Sequence, residues 1–166
     1  GDHLIRSGMV DKRRLGCAGG SAGGMLVGAS MNLRPDLFSA VAAHVPFVDV
    51  LNTMMDASLP LTPIEYKEWG NPAEKKYFNL IRKYSPYDNV RPGEFPYLFI
   101  TAGLNDPRVT YWEPAKWVAR LRELRTNQKM LLFKINTGAG HFGASGRFHH
   151  LVEKAEEYAF MLKALS

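Results

Sequence analysis

Gly19-Gly20-Ser21-Ala22-Gly23-Gly24 constrains this chain more than any other stretch, because it sets a serine among glycines between two apolar segments. Upstream, Arg14–Ala18 is short and mostly apolar, which predicts a buried strand. Downstream, Met25–Leu33 reads as a buried helix that stops before Arg34-Pro35. A strand that turns straight into a helix strains the residue at the corner and crowds its neighbours. The positions two before and two after the serine, Gly19 and Gly23, are therefore expected to be small of necessity. Such an elbow lifts a hydroxyl above a sheet at a helix N-terminus, where partial positive charge collects.

Strand and helix signals alternate along the rest of the chain. A helix-like segment at Leu4–Gly8 precedes the first strand, and Ala40–Pro46 is a second strand stopped by its proline. Val48 to Pro96 is an irregular excursion, broken into short helices by Pro60, Pro63, Pro72, Pro86 and Pro92. Tyr97–Ala102 and Met130–Ile135 are further buried strands, Pro114–Leu124 an amphipathic helix, and Leu151–Leu165 a closing helix. This alternation predicts an α/β fold of the α/β-hydrolase kind: a mostly parallel sheet with helices on both faces. Function in such sheets gathers at the carboxyl ends of the strands.

That rule can be tried on the sequence. Ser21 follows the first strand, Asp106 follows Tyr97–Ala102, and His141 follows Met130–Ile135. Three loops thus bring a Ser, an Asp and a His to one sheet edge in the order Ser…Asp…His. A serine hydroxyl is a weak nucleophile and needs a base within hydrogen-bond reach. His141 would take the proton, Asp106 would fix the imidazole tautomer, and the Ala22 N–H would donate to a developing oxyanion. The other histidines fit the spacing less well: His3 lies near the terminus, His44 in a strand, and His149 and His150 at the start of a helix. Asp49, Asp56 and Asp88 fall in the excursion and are expected to cap helices or turns. Trp112 and Trp117 are expected to pack in the core.

The chain has 166 residues, enough for one domain with a real core, and carries a formal charge of +5. Lys12-Arg13-Arg14 and the face of Arg120, Arg122 and Arg125 supply part of that surplus. No nucleic-acid motif accompanies it, so a solvated surface is expected rather than a nucleic-acid partner. No apolar run is long enough to span a membrane. Cys17 is the single cysteine, which excludes an internal disulfide and a cysteine-based zinc site, and it is expected to be a small buried filler. Neither a metal nor an organic cofactor is expected. Absence of a disulfide fits a cytoplasmic location.

Several longer runs are similar to the prolyl oligopeptidase family of serine peptidases. They are Pro46–Val50, Glu68–Pro72, Tyr84–Val90, Tyr111–Ala119, Gly20–Gly24 and Ser145–Phe148. The resemblance implies a peptidase acting on small peptides with Ser21, Asp106 and His141 as its triad. It also implies that Arg108, whose guanidinium can donate several hydrogen bonds, helps bind the peptide. Members of the family are much longer. Residues 1–166 would correspond to the C-terminal part of the peptidase domain, without the β-propeller, the first strands or the upstream tyrosine that gives a second oxyanion donor. The expected partner, on this reading, is the rest of its own peptidase chain. A branch of the family that cleaves after Lys or Arg carries two acidic residues, two apart, before Trp-Gly-Asn-Pro. Those positions here are Glu65 and Lys67, and an ammonium beside one carboxylate largely cancels its attraction for a basic side chain. Glu68 could partly substitute if the loop shifted. An esterase or amidase of the same fold, and a non-catalytic fragment, remain as alternatives.

Overall fold

The computed structural model describes residues 1–143, Gly146 and 148–166; Ser145 and Arg147 of the last run quoted above lie outside the described residues. Four parallel strands form one sheet in the spatial order β1-β2-β3-β4: β1 Gly16–Gly20, β2 Ala40–His44, β3 Tyr97–Gly103 and β4 Leu131–Asn136. Helix α1 spans Asp2–Arg6 and α2 Ala22–Leu33. The excursion forms α3 Val50–Met55, α4 Thr62–Trp69 and α5 Lys75–Tyr84. Helix α6 spans Trp112–Leu124 and α7 His149–Leu165.

The order of the strands in space matches their order in the chain, and this decides where the helices lie. Right-handed crossovers that all advance in one direction leave their helices on one face of the sheet. Val27 and Met31 of α2 and Trp117, Val118 and Leu121 of α6 accordingly share one core with Val41, Ala43, Leu98 and Ile100 of the strands. Helix α7 follows the last strand, is not a crossover, and packs on the opposite face. There Phe160 and Ala164 meet Ala40, Ala42 and Phe99. A third cluster joins α3 and α5 through Val50, Leu51, Met54 and Ile81, with Phe47 and Val109.

Four details depart from the sequence reading. Strand β1 runs as far as Gly20, two residues beyond the expected end at Ala18, because its backbone pairs with Ala43 and His44 of β2. Cys17 is half-buried, with its thiol pushed up to about 11 by burial. Trp117 is fully buried as expected, but Trp112 is 47% exposed at the first turn of α6. Asp49, expected to cap, holds no helix N–H with its side chain. It is buried and accepts from Lys116 Nζ at 2.5 Å and Asn52 Nδ2 at 2.7 Å. Asp56 and Asp88 do serve turns, accepting from Ser58 and Ser85 respectively. None of the described helices is long and apolar enough to cross a membrane.

Candidate functional site

Ser21 occupies the corner between β1 and α2 with φ 55° and ψ −121°, a backbone region that L side chains rarely adopt. Three hydrogen bonds hold it there. Its N–H donates to His44 O at 2.9 Å, while its carbonyl accepts from Met25 N and Phe47 N, each at 3.1 Å. The crowding expected at the elbow is real but shifted. A Cβ on Gly19 would run into the Gly23 carbonyl, and one on Gly24 would stand 2.5 Å from Pro46 Cβ. A Cβ on Gly23 itself would meet nothing within 4 Å. Small size is thus required at Gly19, where the first turn of α2 lies over the strand end, and at Gly24, where the Pro46–Phe47 loop crosses the elbow. Ala22 opens α2, so its N–H is among those with no carbonyl partner inside the helix.

Asp106 and His141 come from the loops after β3 and β4. Those loops are tied together by Leu104 N to Asn136 O at 3.0 Å, Asn105 N to Ala139 O at 3.1 Å and Asn105 Nδ2 to Thr137 O at 3.1 Å. Asp106 is buried and fully bonded: Oδ1 accepts from Arg108 N at 2.8 Å and Val109 N at 3.0 Å. Its Oδ2 lies 2.8 Å from His141 Nδ1. An ionised carboxylate only accepts, so the proton of that contact sits on Nδ1 and leaves Nε2 with its lone pair. The Phe142 ring packs edge-on against the His141 ring at 5.2 Å, and Arg108 lies 5.3 Å from the centre of the same Phe142 ring.

Ser21, Ala22, Glu65, Glu68, Trp69 and Arg108 line one cleft of about 110 Å3. His141 instead lines a larger neighbouring cavity of about 470 Å3, beside Gly19, Gly20 and His44. The Ser21 hydroxyl makes no hydrogen bond to His141 in this structure. Glu65 accepts from Trp69 Nε1 at 3.1 Å and is thereby fixed on α4. Lys67 is absent from the cleft lining, whereas Glu68, one residue on, is present. No loop shift is needed for this, because three residues along a helix return to the same face.

Two polar groups make buried contacts that the sequence reading did not anticipate. His44, at the end of β2, shares Nδ1 with Thr101 Oγ1 at 3.0 Å and Nε2 with Glu157 Oε2 at 3.1 Å, and burial lowers its pKa. Glu113 is buried on α6, four residues before Trp117 and eight before Leu121. A carboxylate in phase with an apolar stripe was the available signal. Among the described residues no three His, Cys, Asp or Glu side chains converge as a metal site would.

A parallel sheet with a strained serine at the end of one strand and an Asp–His pair at the ends of two others defines the α/β-hydrolase class. Within that class the chain belongs to the prolyl oligopeptidase family, whose sequence model matches residues 1–166. It is 52% identical to Protease 2 of Moraxella lacunata over 163 residues, which is 98% of this chain and 24% of that protein. It is 50% identical to dipeptidyl aminopeptidase BI of Pseudoxanthomonas mexicana, over 99% of this chain and 23% of that one. Oligopeptidase B from Trypanosoma brucei, solved in closed form with covalently bound antipain, superposes with a TM-score of 0.96 at 55% identity. The alignment covers 99% of this chain and 23% of that one. Oligopeptidase B from Leishmania major gives the same TM-score of 0.96 and coverage at 49% identity. The chain therefore spans about a quarter of the length of the relatives it matches.

Proposed function

We propose that these residues are the C-terminal part of a peptidase domain that hydrolyses small peptides through an acyl-enzyme on Ser21. The observation that carries the reading is the buried Asp106–His141 pair at the same sheet edge as a serine held in strained backbone. His141 Nε2 would take the Ser21 proton as the hydroxyl attacks the scissile carbonyl, then return it to the leaving amine. Asp106 would hold the tautomer and stabilise the imidazolium. The Ala22 N–H would donate to the oxyanion, an interaction worth about 3 kcal/mol in comparable sites. Hydrogen bonds of this kind are often long before substrate binds and tighten in the complex, which accommodates the open Ser21–His141 contact. Arg108, in the same cleft as Ser21, is suited to hold substrate carbonyls.

A basic P1 side chain is the specificity that the cleft favours, since Glu65 and Glu68 both line it and Lys67 does not. The upstream strands and an entry-restricting propeller belong to this reading as the rest of the same chain, in keeping with the quarter-length match. A cytoplasmic site of action belongs to it as well.

The test is exposure of the purified protein to a fluorophosphonate, followed by intact mass, with Ser21→Ala alongside. One adduct on the wild type and none on the variant supports the reading. Labelling that survives in Ser21→Ala, or none on a folded wild type, defeats it. For specificity, Glu65→Gln and Glu68→Gln should each lower kcat/KM on arginyl amides by about tenfold relative to neutral substrates. Lys67→Glu should leave it within about twofold. Cleavage of small aryl esters but not arginyl amides would favour the esterase alternative.

A further inference from the structure

Glu113 is 1% exposed, yet no cation among the described residues bonds its carboxylate. Its Oε2 accepts the Asp49 N–H at 3.0 Å, and its Oε1 accepts the Thr53 hydroxyl at 2.7 Å. Both donors belong to one short segment, Asp49 immediately before α3 and Thr53 one turn inside it. The same segment walls the cleft onto which Ser21 opens, through Phe47, Thr53 and Met54. Its other end is tied to the elbow by Phe47 N to Ser21 O at 3.1 Å. The wall of the cleft is therefore strung between the serine's own carbonyl and one buried carboxylate on a different helix.

Lys116, one turn further along α6, feels the Glu113 charge but bonds elsewhere, to Asp49 Oδ2, and also lies 4.6 Å from the centre of the Tyr87 ring. Arg120, a further turn on, lies 5.3 Å from the same ring. The Asp49 carboxylate, buried beside Glu113, repels it. Desolvation, with the Asp49 charge adding to it, outweighs the hydrogen bonds from Thr53 and from the Asp49 and Val48 N–H groups and holds the Glu113 pKa up to about 7.

We propose that Glu113 is a positioning residue whose ionised carboxylate fixes the Phe47–Met54 wall of the Ser21 cleft, and whose protonation releases part of that anchoring. An ionised carboxylate accepts from both donors at once. A carboxylic acid has one carbonyl oxygen to accept with, and its O–H is a donor facing another donor. Either the Asp49 N–H loses its partner or the Thr53 hydroxyl must turn. The role at the cleft rests on the peptidase reading above; the anchoring itself does not.

The experiment is hydrogen exchange of residues 46–55, read by mass spectrometry at pH 6 and pH 8 and corrected for intrinsic rates. In the wild type, protection of this segment relative to strands β2 and β3 should be several-fold higher at pH 8 than at pH 6, the ratio removing the change in global stability. Glu113→Gln, a neutral stand-in for the acid, should show the lower protection at both. Thr53→Val removes one donor but keeps the charge, so it should lose part of the protection and retain a pH dependence. On peptide substrates, Glu113→Gln should raise KM about fivefold or more while kcat changes less than twofold. Equal protection in Glu113→Gln and wild type at both pH values overturns the proposal. Should Glu113→Gln fail to fold, wild-type protection in Thr53→Val overturns it equally. Exchange that follows the prediction in a protein without peptidase activity upholds the anchor and counts against the functional reading instead.

Discussion

Gly23 and Gly24 stand side by side in the first turn of α2, and alanine should have opposite effects at the two. At Gly24 the new Cβ would lie 2.5 Å from Pro46 Cβ and 2.6 Å from Pro46 Cα. The obstacle is a ring and a backbone atom, not the far end of a flexible side chain, so it cannot swing aside. Forced overpacking of this kind costs roughly 1–3 kcal/mol. Alanine's better helix propensity offsets up to about 1 kcal/mol of it. At Gly23 the Cβ meets nothing within 4 Å and φ is ordinary, so only the propensity gain remains. The propensity gain is common to both, so the two variants should differ by about 1–3 kcal/mol in urea unfolding, with Gly23→Ala at or above wild type and Gly24→Ala below it. In thermal melts that is a separation of about 3–9 °C at this chain length. Pro46 precedes Phe47, whose N–H holds the Ser21 carbonyl, so Gly24→Ala should also slow fluorophosphonate labelling. If Gly23→Ala proves as damaging as Gly24→Ala, the placing of the loop across the elbow is wrong.

Asp106→Asn keeps an oxygen for the Arg108 and Val109 N–H groups but turns an amide NH2 toward His141. That favours the tautomer with its proton on Nε2, and the labelling rate of Ser21 should fall by about 10³-fold or more with little change in the melt. A drop under tenfold would argue against the pair acting as base and orienter. Burial holds the Cys17 thiol near 11, so at pH 8 a disulfide reagent should modify it about 100-fold more slowly than an unfolded control. Rapid native-state reaction would contradict that burial. Glu113 is raised from 4.5 to about 7 in the folded state, so its ionisation penalises the native protein above pH 7, and the penalty fades as pH falls toward 4.5. Wild type should accordingly gain about 2–3 kcal/mol on Glu113→Gln between pH 8 and pH 5. A stability difference independent of pH would refute the raised value.

Much of the fold was legible because parallel strands buried on both faces appear as unbroken apolar runs, and Ala40–His44 and Tyr97–Gly103 are such runs. The placing of Asp106 and His141 followed from counting past the strand ends. Strand β1 was harder to end, since Gly19 and Gly20 carry no strand signal and are extended only by pairing with β2. The choice between Lys67 and Glu68 depended on the rotational phase of α4. A two-turn helix with scattered polar residues does not reveal that phase in sequence. Glu113 was hidden for the opposite reason: its helix stripe is clear, and the exception in it shows meaning only once Asp49 and Thr53 are seen folded against it. Trp112 illustrates the limit of composition, since two tryptophans of one helix end up on different sides of it.

The conformation of Ser21 sets stability and chemistry against each other. A serine at φ 55° and ψ −121° carries strain of order 1–3 kcal/mol, and glycine would relieve it. The greater freedom of glycine in the unfolded chain returns only about 1 kcal/mol of that. The scaffold is thus at least as comfortable without its hydroxyl as with it. A library of variants sorted only for heat resistance would drift toward Ser21→Gly and discard the one side chain on which the proposed chemistry depends.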